Sequence, residues 1–380
     1  MRDFRSQRLN THTRTLEYST VTRSIRRTLW LSSIFTWIVV LATALALAAC
    51  DASSPTDPPP SEDLREVGVV VNSVEETLTI FDVDHPLDDR RTVELQLGGD
   101  GSPVGLSIRA GVALVPMGVF PAAQVVDLET AQVTRTIALP EGSGATGSIF
   151  LTDSTALVAN PGRGTVSHVN VREGAAQQEV EVGLYPQGFV EAGGTVFVID
   201  AQLEQFQPVG PGRLVALDPG TLEVTGEVML SGENPSSAVA TDDGRIFVLN
   251  GGRWGAGNGS LSVVDPAQFE ETGHHAGFGD LPGSLTLASG LLHVSSWSFG
   301  VIAWDPVAQS FHRGPDNPVE PGGMPSTAGL GVDSEDRLHA LFPNCESPSR
   351  VLRLDEGYEV EEEIPVGICP AALSFAMVEG

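Results

Sequence analysis

The sequence predicts an all-β protein, a β-propeller of seven blades that the last strand of the chain closes onto the first blade. Three observations favour this fold class. The 42 glycines and 26 prolines are spread along 380 residues, and they separate short runs rich in Val, Ile and Leu, as in chains of many strands and tight turns. From residue 67 a pattern recurs seven times, at intervals of 40–50 residues. Each interval has room for four strands, the size of one propeller blade.

The N-terminal segment has the features of an export signal. Residues 30–49 are apolar and uncharged, and Arg23, Arg26 and Arg27 precede them. A cationic segment followed by an apolar stretch and small residues is typical of a secretory signal peptide, which we predict over residues 1–49. An uncleaved transmembrane anchor is the alternative interpretation, because about 20 apolar residues span a bilayer.

The apolar stretch ends in the sequence Leu-Ala-Ala followed by Cys50. This context resembles the lipobox of bacterial lipoproteins, and the resemblance implies that a lipid is attached to the Cys50 thiol. Residues 50–66 are rich in Pro, Ser and acidic side chains, a composition that predicts a flexible tether. We therefore expect a protein of the cell envelope, on its periplasmic or extracellular side. The lipid on Cys50 would hold it to a membrane, and the propeller would occupy residues 67–380.

The charge of the chain narrows the class of partner. The formal net charge is −28, and residues 50–380 carry 14 arginines against 47 carboxylates, which gives −33. The sequence contains no lysine. Such a surface repels phosphate backbones, so nucleic acid is not expected as a partner. The expected partner is a protein, peptide or glycan at the envelope, and we expect a monomer without a cofactor.

Each copy of the repeat ends its third strand with an acidic or amide residue before a turn. Such a side chain accepts hydrogen bonds from the backbone two residues ahead and thereby starts the turn. In six copies a proline opens the segment that holds the first strand, where its missing N–H is not needed by the sheet. The seven predicted turn formers are Asp82, Asp127, Asn170, Asp218, Asp265, Asp305 and Asp355.

Short motifs recur in the second and third strands of the copies. Second strands end in Val71-Asn72, Ala159-Asn160 and Leu249-Asn250; residues 125–130 read VVDLET and residues 364–370 read IPVGICP. This pattern resembles the YVTN-type repeat propellers of bacterial and archaeal surface proteins over about residues 67–380. The resemblance implies the fold and says little about function, because one fold hosts many activities.

The phase of the repeat predicts how the ring closes. The chain enters on VGVVVN, a second strand without a first strand, whereas residues 371–377 form a first strand with no blade after it. Joining the two completes one blade and leaves no strand edge open. Cys345 and Cys369 fall in loops on one face beside this junction. The oxidising compartment expected for an exported protein favours a disulfide between them, and a metal site is the alternative.

The loops after the second strands of copies four, five and six carry the candidate ligand-binding residues. These are Phe206, then Arg253 and Trp254, then Trp297. Aromatic and arginine side chains provide much of the binding energy of interfaces, so we expect this face to bind a sugar, a peptide or an acidic group. Further arginines expected on the same face are Arg163, Arg213 and Arg350. The opposite face is expected to collect carboxylates.

The sequence carries no motif of a zinc peptidase, a nucleotide-binding loop, haem attachment or a serine hydrolase. We therefore predict a non-enzymatic binding or interaction scaffold. The alternative is a lactonase-like hydrolase or lyase with a metal near the central channel, because propellers similar to this one include such enzymes. The candidate ring of cation ligands near the axis is Asn72, Asn160, Asp200, Asn250 and Asn344.

Overall fold

The structure is a computed structural model that describes residues 64–95 and 101–379. These residues form seven four-stranded antiparallel sheets, which confirms the predicted seven-bladed propeller. In each blade the first strand lies nearest the axis and contacts the first strands of both neighbouring blades. The predicted signal peptide, Cys50 and residues 50–63 of the tether lie outside the described residues. Blade 1 begins at Leu64, three residues before the predicted boundary.

Strands β1 to β17, together with β30, form the first four blades and a small hairpin in blade 4. Blade 1 consists of β1 (Leu64–Asn72), β2 (Thr77–Asp82) and β3 (Arg90–Glu94), together with β30 (Pro370–Glu379) as its first strand. Blade 2 consists of β4 (Ser107–Arg109), β5 (Val112–Pro116), β6 (Ala122–Asp127) and β7 (Gln132–Ala138). Blade 3 consists of β8 (Ser148–Phe150), β9 (Thr155–Asn160), β10 (Thr165–Asn170) and β11 (Ala175–Glu181). Blade 4 consists of β12 (Pro186–Ala192), β13 (Thr195–Asp200), β16 (Pro211–Leu217) and β17 (Val224–Glu233), and the loop between β13 and β16 forms a small hairpin of β14 (Leu203–Glu204) and β15 (Gln207–Pro208).

The remaining blades follow the same order. Blade 5 consists of β18 (Pro235–Ala240), β19 (Ile246–Asn250), β20 (Ser260–Asp265) and β21 (Glu270–Ala276). Blade 6 consists of β22 (Pro282–Ala288), β23 (Leu291–Ser296), β24 (Val301–Asp305) and β25 (Ser310–Arg313). A 3₁₀ turn (Pro321–Gly323) precedes blade 7, which consists of β26 (Gly329–Val332), β27 (Leu338–Leu341), β28 (Pro348–Leu354) and β29 (Val360–Ile368). In the described part of the chain no helix is long and apolar enough to cross a membrane.

The core of the molecule lies between blades rather than inside any one of them. Second and third strands such as β19 and β20 are buried along almost their whole length, because both faces of these strands are covered by neighbouring blades. Continuous apolar runs, rather than alternating ones, are the sequence pattern of such strands. Among the fourth strands, β21 alternates exposed and partly buried residues, and β7 is exposed at five of its seven positions. Seven clusters of buried apolar side chains result, one at each seam between adjacent blades.

The seven predicted turn formers act as the sequence indicates. Each side chain accepts backbone N–H hydrogen bonds from residues two to four positions ahead, at donor–acceptor distances of 2.8–3.2 Å. In the turn after β2, for example, Asp82 Oδ1 accepts from the backbone of Asp84 and His85. These residues therefore fix the turns between third and fourth strands.

The ring closes as predicted, with β30 completing blade 1. Strand β1 pairs with β30 on one side and β2 on the other, so that Val69 lies between Ser374 and Ile80. Gly68 is required at this junction, because a Cβ atom there would lie 2.2 Å from Cζ of Phe81. The Phe81 ring fills that space and packs edge-to-face on Phe375, with ring centroids 6.3 Å apart. Strand pairing and aromatic packing together bind the two ends of the domain.

Hydroxyl and amide side chains join neighbouring first strands around the channel. The Oγ atoms of Ser107 and Ser148 are 2.7 Å apart across blades 2 and 3, and Thr146 Oγ1 donates to the Gln187 carbonyl across blades 3 and 4. Similar side-chain bonds cross from blade 4 to 5, from 5 to 6 and from 6 to 7. In β30, the first strand at the closing seam, the two residues after the opening proline are Ala371 and Ala372. Their side chains have no hydroxyl or amide group that could form such a bond.

A disulfide joins the closing seam. Cys345, in the loop after β27, is bonded to Cys369, in the link into β30, as predicted. The two backbones also bond there, because the Cys369 N–H donates to the Asn344 carbonyl at 2.7 Å. A covalent link across 24 residues removes conformational entropy from the unfolded chain equivalent to about 3 kcal/mol.

Deleting residues 370–380 is expected to unfold the propeller rather than trim it. The deletion removes the whole of β30 and exposes the seams that blade 1 makes with blades 2 and 7. Circular dichroism against temperature should show loss of the cooperative transition. A truncated protein that still melts cooperatively at the temperature of the parent would contradict closure by β30.

Candidate functional site

The propeller has two faces that differ in their loops. The aromatic face carries the loops between second and third strands and the links between blades. The opposite face carries the loops from first to second and from third to fourth strands. Phe206, Trp254 and Trp297 all lie in loops of the aromatic face, on the adjacent blades 4, 5 and 6.

Trp254 lies in a loop whose backbone is held in place while its indole is free. The loop spans residues 251–259, between β19 and β20. The Arg253 guanidinium donates to both carboxylate oxygens of Glu233, at 2.8 and 2.5 Å. The Gly255 N–H donates to Asp280 Oδ1 at 2.9 Å. Both neighbours of Trp254 are therefore fixed, yet 81% of Trp254 is exposed to solvent. A rigid loop that presents an uncovered indole is suited to recognition, because little ordering is needed on binding.

Asp280 connects the Trp254 loop to the neighbouring loop that carries Trp297. Its carboxylate accepts from Gly255, and its carbonyl accepts from Ser296 Oγ at 3.4 Å. Ser296 is buried at the end of β23 and is followed directly by Trp297, of which 54% is exposed. The two tryptophans thus belong to loops that share one anchoring residue.

Phe206 lies at the tip of the β14–β15 hairpin. Gln205 and Phe206 both have positive φ, 49° and 62°, as a two-residue turn of type I′ requires. For non-glycine residues the left-handed conformation costs roughly 1–2 kcal/mol each. The ring packs edge-to-face on Tyr185 at 6.2 Å between centroids, yet 76% of Phe206 remains exposed. The hairpin therefore presents an aromatic side chain to solvent at the expense of backbone strain.

The predicted separation of charge between the two faces is wrong. The arginines of the aromatic face are neutralised by carboxylates: Arg163 by Glu179, Arg213 by Asp200 and Glu227, Arg253 by Glu233, and Arg350 by Glu363. The opposite face also holds paired arginines, among them Arg109, Arg245 and Arg337. With so few cations among so many carboxylates, nearby acids pair with the arginines. The arginines of the aromatic face therefore give no reason to expect that this face attracts an acidic group.

The side chains that the alternative function would use as a ring of cation ligands near the axis instead bond mainly within their own blades. Four of these residues end second strands, which lie behind the first strands, and these four are fully buried. Asn72, Asn160 and Asn250 each donate through Nδ2 to two hydroxyls of the third strand in their own blade. Asp200 accepts from the backbone of Leu184 and Tyr185 and from Gln202 and Arg213. Asn344 is half-buried and donates to Ser347 Oγ. Each side chain therefore holds its own blade together.

No candidate metal centre is found among residues 64–95 and 101–379. Nowhere in these ranges do three or more His, Cys, Asp or Glu side chains converge in a group that could hold a metal ion. The two histidines of β21, His274 and His275, follow one another along a strand and so point to opposite faces. They cannot chelate one ion together.

A groove that the sequence did not indicate lies between blades 6 and 7 and opens on the opposite face. Its volume is about 740 Å³, within the range of small-molecule sites. It is lined by the loop after β22, by parts of β23 and β25, and by the two hairpin loops of blade 7. Its polar walls include Ser289, His293, His312, Asp336, Glu356 and Tyr358.

The groove lies at a seam where one contact between neighbouring blades is polar, although the equivalent contact at two other seams is apolar. At those two seams an apolar residue of the second strand meets an apolar residue from the loop before the fourth strand of the next blade. The seam of blades 3 and 4 uses Leu157 and Leu222, and the seam of blades 4 and 5 uses Phe197 and Phe269, with centroids 6.1 Å apart. At the seam of blades 6 and 7 the corresponding residues are His293 and Tyr358.

His293 and Tyr358 form a buried polar pair. The His293 Nε2 atom lies 3.0 Å from the Tyr358 hydroxyl, and only 3% of His293 is exposed. Its Nδ1 atom is buried without a hydrogen-bond partner among the described residues. Burial lowers the pKa of His293 to about 4, although the Leu291 carbonyl and Asp336 favour the charged ring. The imidazole is therefore neutral at neutral pH, and burial likewise raises the pKa of Tyr358.

Sequence reasoning missed this pair for an identifiable reason. His293 occupies the third position before the end of β23, where β13 and β19 have Phe197 and Phe247. Aligning the copies on the pairing of their second and third strands gives a column that is apolar in five blades and holds a histidine in two, His293 in blade 6 and His339 in blade 7. Tyr358 lies in a loop of the next blade, and the number of residues between this loop and the second strand differs from blade to blade. The sequence therefore could not identify Tyr358 as the partner of His293.

Comparisons with known proteins add support for the fold alone. Neither models of known protein families nor curated proteins match the chain. Among solved structures, a hydrazine synthase structure from Kuenenia stuttgartiensis is similar with a TM-score of 0.56 and 13% identity, covering 73% of this chain and 95% of that one. A functionally unknown protein from Desulfotomaculum acetoxidans has a TM-score of 0.57 and 14% identity, covering 80% and 99%. At such identities the likeness shows the propeller fold.

His293→Phe is expected to stabilise the protein at acidic pH. Because the pKa of His293 is lower in the folded protein, the unfolded chain binds its proton first. The native state therefore loses stability as pH falls from about 6.5 to about 4. The lowering of the His293 pKa from 6.5 to about 4 corresponds to about 3 kcal/mol in the free energy of unfolding. The free energy of unfolding can be measured by urea denaturation at pH 7 and at pH 4. The variant's advantage over the parent in this free energy should grow by up to that amount when the pH is lowered.

His85→Asn serves as the control, because His85 lies in an exposed turn. It removes a histidine that no neighbouring blade covers, and it should leave the pH dependence of the parent intact. If the free energies of unfolding of His293→Phe and the parent differed by the same amount at both pH values, burial of a neutral His293 would be contradicted.

Proposed function

We propose that this protein is a non-enzymatic binding protein of the cell envelope, held to a membrane by a lipid on Cys50, which recognises a peptide or glycan through its aromatic face. The observation that carries the proposal is the combination of rigid loops with uncovered aromatic rings at Phe206, Trp254 and Trp297. Monomeric proteins rarely leave such rings exposed on adjacent elements unless the surface contacts a partner. The motifs shared with YVTN-type propellers of surface proteins agree with this role.

The proposed role of Arg253 follows from its ion pair. Because both of its donor groups engage Glu233, Arg253 positions the Trp254 loop rather than contacting the partner as a free cation. With the arginines of this face neutralised, the contact surface favours a neutral or basic partner over an acidic one. Stacking of the indoles on sugar rings or on peptide side chains would provide most of the binding energy.

Trp254→Ala is expected to weaken binding at least tenfold, equivalent to about 1.4 kcal/mol. The side chain of Trp254 packs on little of the protein itself, so its removal should leave the melting temperature unchanged. Binding can be measured by immobilising the purified protein and testing peptides and neutral, basic and acidic polysaccharides by surface plasmon resonance.

Two variants on the opposite face control for this experiment. Val307→Ala truncates an apolar side chain that is 85% exposed, and Asp242→Ala removes an exposed carboxylate. Both should bind like the parent. A loss of binding in these variants with none in Trp254→Ala would place the site on the opposite face and overturn the proposal.

Cys50 is expected to carry the lipid. Metabolic labelling with radioactive palmitate should label the parent and leave Cys50→Ala unlabelled, because the thioether requires the Cys50 thiol. Equal labelling of both proteins would contradict anchoring at this residue without affecting the proposal for the aromatic face.

A further inference from the structure

The groove between blades 6 and 7 has an excess of negative charge along its walls. Five carboxylates line it, from Glu335, Asp336, Asp355, Glu356 and Glu361, against a single arginine, Arg337. Arg337 is itself paired with Asp333 at 2.7 Å and with Glu335 at 2.9 Å. The arginine therefore does not neutralise the rest of the groove.

Three of these carboxylates have no cationic partner among the described residues. Glu361 is paired with Arg353, at 3.4 Å. Asp336 accepts only from the backbone N–H and hydroxyl of Ser289, at 2.7 and 3.0 Å, and Asp355 accepts from the backbone of its own turn. Glu356 is exposed at the rim. Together with the neutral His293, these groups leave a cavity with unbalanced negative charge.

The polar pair at the floor of the groove is a second observation that points to a ligand. A buried histidine with an unpartnered Nδ1 costs stability that an apolar pair would not, and the seam of blades 4 and 5 shows that Phe197 and Phe269 can fill the same slot. The bond with His293 Nε2 uses one hydrogen-bonding direction of the Tyr358 hydroxyl. Its oxygen keeps lone-pair capacity toward the groove, and its ring offers a face to a cation.

We propose that this groove binds a small organic cation that carries primary ammonium groups, such as a polyamine. The carboxylates of Asp336, Asp355 and Glu356 neutralise the ammonium groups, and Tyr358 accepts a hydrogen bond from one of them. An inorganic cation fits less well, because no three ligating side chains converge in the described residues. The site is on the face opposite the aromatic loops and does not depend on the function proposed for them.

The test is titration of the purified protein with spermidine by isothermal calorimetry at low salt. We expect one site per protein. The double variant Asp336→Asn, Glu356→Gln should weaken binding at least tenfold. Asn tolerates the left-handed backbone of residue 336, whose φ is 64°, so the variant should fold. Tyr358→Phe keeps the ring and removes the hydroxyl, and it should weaken binding at least threefold.

The matched control is Asp242→Asn, Glu359→Gln, which removes the same charge from exposed positions on the same face outside the groove. It should bind spermidine within twofold of the parent. Equal weakening in both double variants, or several equivalent sites per protein, would mean that spermidine only screens the acidic surface and would overturn the proposal. Absence of binding to the parent would overturn it as well, as would tighter binding of Ca²⁺ than of spermidine.

Discussion

The pairing of β1 with β30 is the interaction on which the other parts of the structure depend. The core of this protein lies at the seams between blades, so each blade is buried only if both of its neighbours are in place. Without β30, blade 1 loses its innermost strand and two seams open to water. Gly68, the Phe81 ring and the disulfide of Cys345 all act at this junction. The loops of both faces keep their spacing only because the ring is closed.

The seams repeat one geometry and vary its chemistry. The same slot holds leucines between blades 3 and 4, phenylalanines between blades 4 and 5, and the His293–Tyr358 pair between blades 6 and 7. An apolar pair fills its slot and excludes water, whereas the polar pair borders a groove of about 740 Å³. A fold built from repeats can therefore place a polar groove at one seam without changing the others.

Scarcity of cations determines the electrostatics of the surface. Of the 14 arginines in residues 50–380, ten are within ion-pairing distance of a carboxylate. Arginine in this protein mainly fixes loops and strand ends, as Arg253 does beside Trp254. The recognition proposed for the aromatic face would then depend on stacking and shape, and the recognition proposed for the groove on unbalanced carboxylates.

The sequence by itself determined the number of blades, the closure by the last strand, the turn-forming residues and the disulfide. These follow from local rules, since strand periodicity, turn chemistry and the phase of a repeat act over a few residues. It also indicated Phe206, Trp254 and Trp297 as loop residues. Only the tertiary structure decided which charges pair, where the amides of second strands point, and that His293 meets Tyr358. The Arg213–Glu227 and His293–Tyr358 contacts, for example, join residues 14 and 65 positions apart, and a linear pattern does not specify distances across blades.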